Sequence, residues 1–392
     1  MNGIDDMDGA AARNTEAGKH ATHPLMPLAS FGVDSTAAEH KPDLRKTGSH
    51  PDHWYPLARS RDLKRGKAIG AVFAGEPIAL VRTEGGEVFA IEDRCAHRQV
   101  PLHQGVVKGE TLQCSYHCWT YDKTGKCVNV PYLDKSRSLP NGVRGYPCRE
   151  AYGLIFVYPG NLARLASAIF PDVPSALDPH YKTRYLDREV RCHYSFMHEN
   201  LMDMNHQFLH RRLMGGIRTV FLELRRGDNW VECDYTFARV AGKQPIGEKF
   251  IVGSGKKSAQ GGRDLMTIRT GYPYQSLKFT PRGSDHPALD LWNVYVPVDR
   301  QQRANHTYGL MMVRKPSLPG AIHLLWPFII WFTEGIFAED RTIVEQEQRA
   351  FDLQGADWNQ EIFPIIKELR NVLITQGVPL TSEFDRGMLP AT

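Results

Sequence analysis

The sequence has no long hydrophobic run and no recognisable export signal. Its longest uninterrupted apolar segment is LLWPFIIWF at residues 324–332, whereas a membrane-spanning helix needs about 20 mostly apolar residues. The N-terminal segment also lacks the basic start and apolar stretch of a secretory signal. We therefore expect a soluble, cytoplasmic protein without a membrane span.

An excess of charge of one sign is absent too. Lys and Arg total 48 against 44 for Asp and Glu, with no block of like charge, which argues against a nucleic-acid partner. The seven cysteines are an odd number in a chain of 392 residues, and without an export signal they favour free thiols over a disulfide framework. No GxGxxG motif occurs, so we do not expect the chain itself to bind a dinucleotide or a flavin.

Composition separates a tail from a first folded region. Residues 1–51 are polar, rich in small side chains and non-periodic, and we expect them to form a disordered tail. Residues 52–160 alternate short apolar segments with Gly and Pro, and Gly85-Gly86 and Asp122–Gly125 stand where hairpin turns are expected. This region predicts a small all-β domain.

The remaining chain, residues 161–392, has a different character. It begins with a helical stretch around Ser195–Leu213, continues through several longer strand-like segments, and closes on helices at Ala338–Leu353 and Asn359–Ile374. This pattern predicts a larger α+β domain.

Two Cys-His pairs stand out in the first folded region. Cys95 and His97 lie in CAHR, Cys114 and His117 lie in CSYHC, and sixteen residues separate the pairs. Each pair can therefore occupy a tight loop at a hairpin end. Two thiolates and two imidazoles can hold a structural zinc ion, but zinc fingers usually gather both cysteines on one arm. The alternative is a 2Fe-2S cluster in which the cysteines bind one iron and the histidines the other.

The segments CAHR and CSYHCWTYD resemble the two cluster-binding loops of the Rieske family. Respiratory Rieske proteins carry a further cysteine in each loop; the corresponding positions here are Val100 and Tyr116, so that disulfide cannot form. Tyr116, Trp119 and Tyr121 instead resemble the aromatic second loop of the Rieske non-heme iron oxygenases. Cys118 stands where those enzymes often have Gly or Ala, and we assign it no ligand role.

A second set of candidate metal ligands lies in HENLMDMNHQFLHRRL. Asp203, His206 and His210 are spaced i, i+3 and i+7, so on a continuous helix they project from one face. The segment resembles the NxxDxxH motif and following histidine that bind a mononuclear iron in the Rieske oxygenases. Many members have four residues between the two histidines, whereas His206 and His210 have three. His198 therefore stays open as an alternative ligand.

The resemblance also implies a carboxylate ligand from a helix near the C-terminus. Our candidate is Asp340 in AEDRTIVEQEQRAFD, and Glu339, Glu345 and Glu347 are alternatives. An acid near a helix N-terminus can also have a purely electrostatic role. Two imidazoles and one carboxylate would form a facial triad that leaves iron positions open for oxygen.

Two further residues take expected roles from the resemblance. In the family, the acid at the position of Asp203 connects a cluster histidine of a neighbouring subunit to an iron ligand. We therefore expect Asp203 to bridge His117 or His97 to His206, and Asn200 to lie near the iron one turn earlier. A helix-capping or surface role is the alternative for Asn200.

The resemblance covers residues 52–380 and implies a terminal oxygenase of α+β fold. A small all-β Rieske domain would precede a larger helix-grip catalytic domain with an antiparallel sheet, and the subunits would form a homotrimer. Each subunit would hold one 2Fe-2S cluster and one mononuclear Fe(II). It would consume O2 and take electrons from NAD(P)H through a separate ferredoxin or flavin reductase. The reaction would hydroxylate or oxidatively demethylate a small organic substrate, expected to be apolar or aromatic.

Other functions remain open. A ring cis-dihydroxylating dioxygenase would use the same cofactors, although the chain length and the helix of Asp340 look more like the monooxygenase and demethylase branch. A Rieske electron-transfer protein would leave the long second region unexplained, and a zinc-stapled binding module would be colourless. LLWPFIIWF and Met311-Met312 are candidates to line an apolar substrate pocket, but ordinary core is the leading expectation.

Overall fold

Short strands joined by tight turns build the N-terminal part of the protein, as its composition predicts. The computed structural model describes residues 43–241 and 264–380. The first twelve strands are β1 Thr47–Gly48, β2 Tyr55–Arg59, β3 Lys67–Phe73, β4 Glu76–Arg82, β5 Val88–Glu92, β6 Val106–Lys108, β7 Thr111–Gln113, β8 Thr120–Tyr121, β9 Cys127–Asn129, β10 Gly145–Tyr146, β11 Cys148–Ala151 and β12 Leu154–Val157. They form antiparallel sheets in the orders β10-β5-β4-β3, β6-β7-β8-β9 and β11-β12-β2, with β1 apart from these.

Glycine turns set the register of these hairpins. Gly86 between β4 and β5 has φ +102°, and Gly125 between β8 and β9 has φ +82°, a region that side chains disfavour. A Cβ atom at Gly125 would lie 2.2 Å from the carbonyl oxygen of Val143. Both predicted turns are therefore confirmed, and so is the all-β character of this region.

The C-terminal part is dominated by one large antiparallel sheet. Its strands run in the order β13-β19-β18-β17-β16-β15-β14. The elements are β13 Tyr181–Val190, α1 Tyr194–Met202, α2 Arg211–Met214, β14 Gly216–Gly227, β15 Trp230–Ala241, β16 Leu265–Gly271, β17 Tyr274–Thr280, β18 Leu289–Pro297, β19 Asn305–Arg314, α3 Ala321–Gln354, α4 Pro364–Gln376 and β20 Val378–Pro379. Short 3-10 turns occur at Leu44–Lys46, Ser60–Asp62, Leu102–Gln104, Leu162–Ser167, Pro174–Ala176 and Met204–Phe208.

One face of the large sheet is covered by helices. Its buried side chains pack with α1, α3 and α4 in a cluster that includes Cys233, Ile268 and Leu291 from the sheet and Met202, Ile329 and Leu369 from the three helices. Burying this apolar area is the main driving force that holds the helices on the sheet. The predicted α+β fold class, with an antiparallel sheet around long helices, is confirmed.

The helix expected over Ser195–Leu213 is interrupted. Helix α1 ends at Met202, and Asp203 takes an extended conformation with φ −84° and ψ 91°. Its side chain accepts a hydrogen bond from the backbone N–H of Asn205 and caps the following 3-10 turn. The prediction of one continuous helix was therefore wrong, because a side-chain cap at Asp203 replaces the next helical turn.

Helix α3 begins earlier than predicted. It starts at Ala321 rather than Ala338 and contains the whole LLWPFIIWF segment, with Pro327 inside the helix. Met311 and Met312 are core residues, as expected, but Leu324 is 85% exposed and Trp331 is 62% exposed. By length and composition alone, α3 is long and apolar enough to cross a membrane. One such helix is weak support for a span.

The end of the predicted tail is structured. Leu44 and Arg45 are buried in the 3-10 turn Leu44–Lys46, and β1 pairs with β20, so that Thr47 lies opposite Pro379. The tail prediction therefore does not hold for residues 43–51, because apolar and ion-pair contacts fix this segment. Residues 1–42 lie outside the described residues.

Candidate metal centres

The two Cys-His loops have the same backbone design. Cys95 follows β5 and Cys114 follows β7. In the first loop the N–H of Gln99 donates to the carbonyl of Cys95 at 2.8 Å, and in the second the N–H of Cys118 donates to the carbonyl of Cys114 at 3.2 Å. Gln99 and Cys118 both have a left-handed backbone, with φ +59° and +58°. Each loop thus turns sharply after its cysteine.

The structure brings the four predicted cluster ligands together. Cys95 and Cys114 are each 2% exposed, and burial, with a hydrogen bond between these thiols, raises the pKa of Cys114. The ring centroids of His97 and His117 lie 4.6 Å apart. The Nδ1 atoms of both rings are buried and have no hydrogen-bond partner among the described residues. Such orphaned nitrogens beside two buried thiols fit an iron–sulfur cluster.

Aromatic side chains surround these ligands. Trp119 stacks on His97 with a centroid distance of 4.8 Å and an interplanar angle of 4°, and Tyr116 packs against His117 at 3.7 Å. The hydroxyl of Tyr121 lies 3.2 Å from the Sγ of Cys95. The sequence indicated the aromatic character of this loop, but not that Tyr121 contacts a ligand sulfur.

A second group of candidate ligands converges in the C-terminal part. The Oδ1 atom of Asp340 lies 3.1 Å from the Nε2 of His210 and 3.8 Å from the Nε2 of His206. Among the residues that the structure describes, these three side chains form a possible metal site, because their ligand atoms all lie within 4.8 Å of one another. The Nε2 of His210 and the Oδ1 of Asp340 are buried, and among the described residues their close contact is with each other. Two imidazoles and a carboxylate arranged in this way fit a divalent iron.

The opposite ring nitrogens of the two histidines are fixed by other groups. The Nδ1 of His206 hydrogen-bonds to the backbone carbonyl of Asp203, and the Nδ1 of His210 lies 2.8 Å from the Oε2 of Glu339. Both bonds orient Nε2 towards Asp340, as outer-shell partners of metal ligands commonly do. Burial lowers the pKa of His210, but Asp340 and Glu339 outweigh burial, and the net pKa is raised. Glu339, an alternative ligand by sequence, thus lies behind His210 rather than beside the converging atoms.

His206 and His210 meet by a different route from the one the sequence suggested. The 3-10 turn Met204–Phe208 carries His206, and His210 follows it just before α2. The two rings stand 5.1 Å apart at an interplanar angle of 88°. The 3-10 turn therefore brings His206 and His210 together although only three residues lie between them.

Asp203 immediately precedes the turn that carries His206, and Asn200 lies three residues earlier in the chain. The Oδ1 of Asp203 accepts from the backbone N–H and the side-chain amide of Asn205, at 2.9 and 3.0 Å. Asn200 is half-buried in the last turn of α1. The contacts within one chain do not test whether Asp203 bridges two subunits or whether Asn200 lies near the iron. Both roles stay predictions.

His198, the alternative ligand, lies in a different environment from His206 and His210. Its ring packs edge-on against Tyr295 with a centroid distance of 4.8 Å, and burial lowers its pKa to about 3. It does not belong to the group of His206, His210 and Asp340. A buried neutral imidazole packed on an aromatic ring is an ordinary core residue.

Two family models match successive parts of the chain. The Rieske [2Fe-2S] domain matches residues 53–147. The vanillate O-demethylase oxygenase C-terminal domain matches residues 190–364. The first range contains all four candidate cluster ligands, and the second contains the converging histidines and Asp340.

Relatives and solved structures agree with these matches. The 4beta-methylsterol monooxygenase of Methylococcus capsulatus is 30% identical over 366 residues, covering 89% of this chain and 94% of its own. The oxygenase component of dicamba O-demethylase from Stenotrophomonas maltophilia is 32% identical over 61% of this chain and 62% of its own. The crystal structure of dicamba monooxygenase bound to dicamba superposes with a TM-score of 0.67 at 24% identity, over 83% of this chain and 96% of that one.

Proposed function

This chain belongs to the Rieske non-heme iron oxygenases, and from that premise we propose that it is a terminal oxygenase for a bulky, ring-containing apolar substrate. Its Rieske domain carries a 2Fe-2S cluster, and the enzyme is an oxidoreductase that acts on its substrate with O2. In our proposal the first domain spans residues 52–160 and the second residues 161–392. The protein works in the cytoplasm as a homotrimer with a separate ferredoxin or flavin reductase.

The cluster in this proposal is held by Cys95 and Cys114 through sulfur and by His97 and His117 through Nδ1. The buried, unpartnered Nδ1 atoms of both histidines support this assignment. The exposed surface of Tyr116 beside His117 leaves this side of the loop open to a redox partner.

A mononuclear iron site formed by His206, His210 and Asp340 carries the proposal. Its main support is the convergence of the three side chains, whose ligand atoms all lie within 4.8 Å of one another, with the Nε2 of His210 3.1 Å from the Oδ1 of Asp340. When bound there, Fe(II) would supply the open coordination positions at which O2 is activated. Electrons would reach it from NAD(P)H through the reductase and the cluster.

The surrounding residues hold the two imidazoles in the tautomer that a metal requires. The Nδ1 of His206 is engaged by a backbone carbonyl and that of His210 by the carboxylate of Glu339, so Nε2 is the nitrogen that each ring would offer to a metal. These contacts thus orient both rings to bind a metal through Nε2.

The substrate class rests on the relatives. One acts on a methylsterol, one on the chlorinated aromatic dicamba, and the carbazole 1,9a-dioxygenase component from Sphingomonas sp. is 28% identical over 90% of this chain. Apolar rings are common to all three. Hydroxylation or oxidative demethylation is our leading reaction. Ring dihydroxylation is the second candidate, because the carbazole enzyme is related over nearly its whole length.

Metal analysis of three variants tests the two centres separately. We expect Cys114→Ala to lose the visible Rieske spectrum. His210→Ala should keep that spectrum but lose one iron per subunit and all turnover. His180→Ala, whose ring is exposed, should keep both and serves as the control. A His210→Ala protein with full iron content and activity would contradict the proposed iron site.

A substrate screen tests the reaction. With a surrogate reductase, we expect a methylsterol, a methoxylated aromatic acid or a fused aromatic ring to stimulate NADH and O2 consumption together, with product formed in proportion. NADH consumption that no such compound raises, in protein containing both iron centres, would contradict the proposed substrate class.

A further inference from the structure

The first half of helix α3 presents an exposed apolar stripe that the proposed reaction does not use. Leu324 is 85% exposed and Trp331 is 62% exposed, and Phe328 lies between them with its ring centroid 5.7 Å from that of Trp331. Positions i, i+4 and i+7 share one face of a helix. The opposite face is buried in the protein core through Ile322, Ile329 and Phe332. We call the exposed Leu324 and Trp331, together with the half-buried Phe328 between them, the apolar stripe.

The apolar stripe is confined to one end of the helix. It begins beside Leu318, which precedes α3 and is 71% exposed. The same face becomes polar further along, where Thr342, Gln346 and Arg349 are exposed. The run of exposed apolar side chains on this face is therefore confined to roughly the first three turns, and Leu353 near the other end of the helix stands among polar neighbours.

Basic side chains border this end of the helix. The ammonium of Lys182 lies 4.4 Å from the ring centroid of Trp326 and 3.0 Å from the Nδ1 of His323. Arg314 and the exposed Lys315 immediately precede the loop to α3. We call Lys182, Arg314 and Lys315 the basic rim. Carboxylates in this area are already paired, Asp178 with His180 and Glu334 with Arg184 and Arg188.

Spanning a membrane is incompatible with the rest of the helix. The core-facing side of α3 packs on the sheet, and Asp340 on the same helix belongs to the converging metal ligands. A helix that lies in the membrane interface, by contrast, combines one apolar face containing Trp, Phe or Leu with basic residues at its border. The apolar stripe and the basic rim have this composition.

We propose that the apolar stripe docks this protein on an anionic lipid membrane, with the basic rim against the lipid phosphates. Phosphate groups complement the charge of the basic rim, since clusters of Lys and Arg bind anionic headgroups. A Trp side chain is suited to the boundary between headgroups and acyl chains. The proposal does not depend on the reaction, although Asp340 lies only nine residues, or ~14 Å of helix, beyond Trp331. A lipid-dissolved substrate would then have a short path to the metal site.

Vesicle sedimentation of the holoprotein tests the proposal. We expect binding to sucrose-loaded vesicles of phosphatidylcholine with 30% phosphatidylglycerol, and weaker binding to pure phosphatidylcholine. Leu324→Gln and Trp331→Gln should each lower the partition coefficient on anionic vesicles about tenfold, since each removes a large apolar side chain from the lipid. Lys315→Glu should reduce binding to anionic vesicles about tenfold and leave binding to neutral vesicles unchanged.

Leu353→Gln is the matched control. Leu353 is 89% exposed on the same helix, but at its polar end, so this variant should bind as the wild type does. Equal loss in the Leu353 variant, or wild-type protein that stays in the supernatant, would overturn the proposal. An altered sedimentation coefficient of the stripe variants without any vesicle binding would also overturn it, by showing an interface between copies. The visible spectrum and iron content of every variant establish that it is folded.

Discussion

Each of the two Cys-His loops has one residue with a left-handed backbone, and in the second loop that residue is Cys118. Gln99 and Cys118 are each the fourth residue after a cluster cysteine, and each has φ close to +58°. A side chain costs roughly 1 kcal/mol in this region, whereas glycine enters it freely. Of the Gly or Ala that the family often has at the position of Cys118, this loop geometry favours Gly, and we assign the thiol here no ligand role.

Cys118→Gly is expected to stabilise the protein. Relief of the left-handed strain should raise the free energy of unfolding by roughly 0.5–1 kcal/mol, partly offset by the greater freedom of glycine in the unfolded chain. The urea midpoint of the holoprotein measures this change. Cys118→Ala removes the same thiol but keeps a Cβ atom, so it should show no gain. Equal midpoints for the Gly and Ala variants would mean that the loop carries no such strain.

The candidate ligands were predictable at this scale, whereas the residues that contact them were not. Cys-His spacing and the HxxxH pair indicated the residues that the structure brings together. Glu339 appeared in the sequence only as an alternative to Asp340, because adjacent acids on a helix cannot be ranked without knowing which one faces His210. The contact of Tyr121 with Cys95 depends in the same way on the packing of β8 against the first loop.

At the scale of elements, periodicity identified strands well and helix boundaries less well. The apolar pattern of this segment continues through His210, but the side chain of Asp203 caps a 3-10 turn and ends helix α1. Periodicity cannot predict that a side chain will compete with the helix for a backbone N–H group. Helix α3 was predicted too short, because Pro327 and an unbroken apolar run conceal the start of an amphipathic helix. The end of the last helix was easier to predict, because α4 stops at Gly377, as its sequence indicates.

A buried ion-pair network ties the segment before β1 to helix α1. The side chain of Arg45 is 1% exposed and pairs with Glu199, and its guanidinium lies 3.6 Å from the ring centroid of Phe196. Arg370 of α4 binds the other oxygen of Glu199 at 2.6 Å. Asp357 completes the network by pairing with Arg370. Charges buried to this degree stabilise only while they remain paired.

Arg45→Met is expected to destabilise the protein strongly. It leaves Glu199 and Asp357 with only one cationic partner, and breaking such a buried network costs about 3 kcal/mol. The change is measured as a lower urea midpoint in the holoprotein. Lys46→Met is the control. The side chain of Lys46 is 65% exposed, so its loss should lower the free energy of unfolding by less than ~0.5 kcal/mol. Similar midpoints for the two variants would contradict the importance of the Arg45 network.

At the scale of the whole molecule, a shared apolar cluster joins the cluster-binding region to the large sheet. Leu154, Ile155 and Phe156 of β12 pack with Val294 of β18 and Leu310 of β19. Such close-packed interiors permit little relative movement. The two metal regions of one chain are thus held in a fixed relation, which the sequence did not reveal because alternating strands do not identify the sheet that their buried face meets.

Asp203 is where the proposed trimer can be tested. Its Oδ1 is already engaged by Asn205, and its backbone carbonyl holds His206. If Oδ2 accepts a hydrogen bond from a cluster histidine of a neighbouring subunit, the residue has two separable duties. One duty is to cap the 3-10 turn. The other is to provide a path for electron transfer from the cluster of the neighbouring subunit to the iron site.

Asp203→Asn is expected to separate these duties. An amide oxygen can still accept from the N–H of Asn205, so both iron centres should be retained, but the second acceptor is lost and electron transfer should slow by at least about tenfold. Single-turnover reoxidation of the reduced cluster with substrate and O2 measures this rate. Asn205→Ala, which removes a donor to Oδ1 while leaving the carboxylate intact, should stay near the wild-type rate. Wild-type reoxidation in Asp203→Asn would reduce Asp203 to a capping residue and remove the route between subunits.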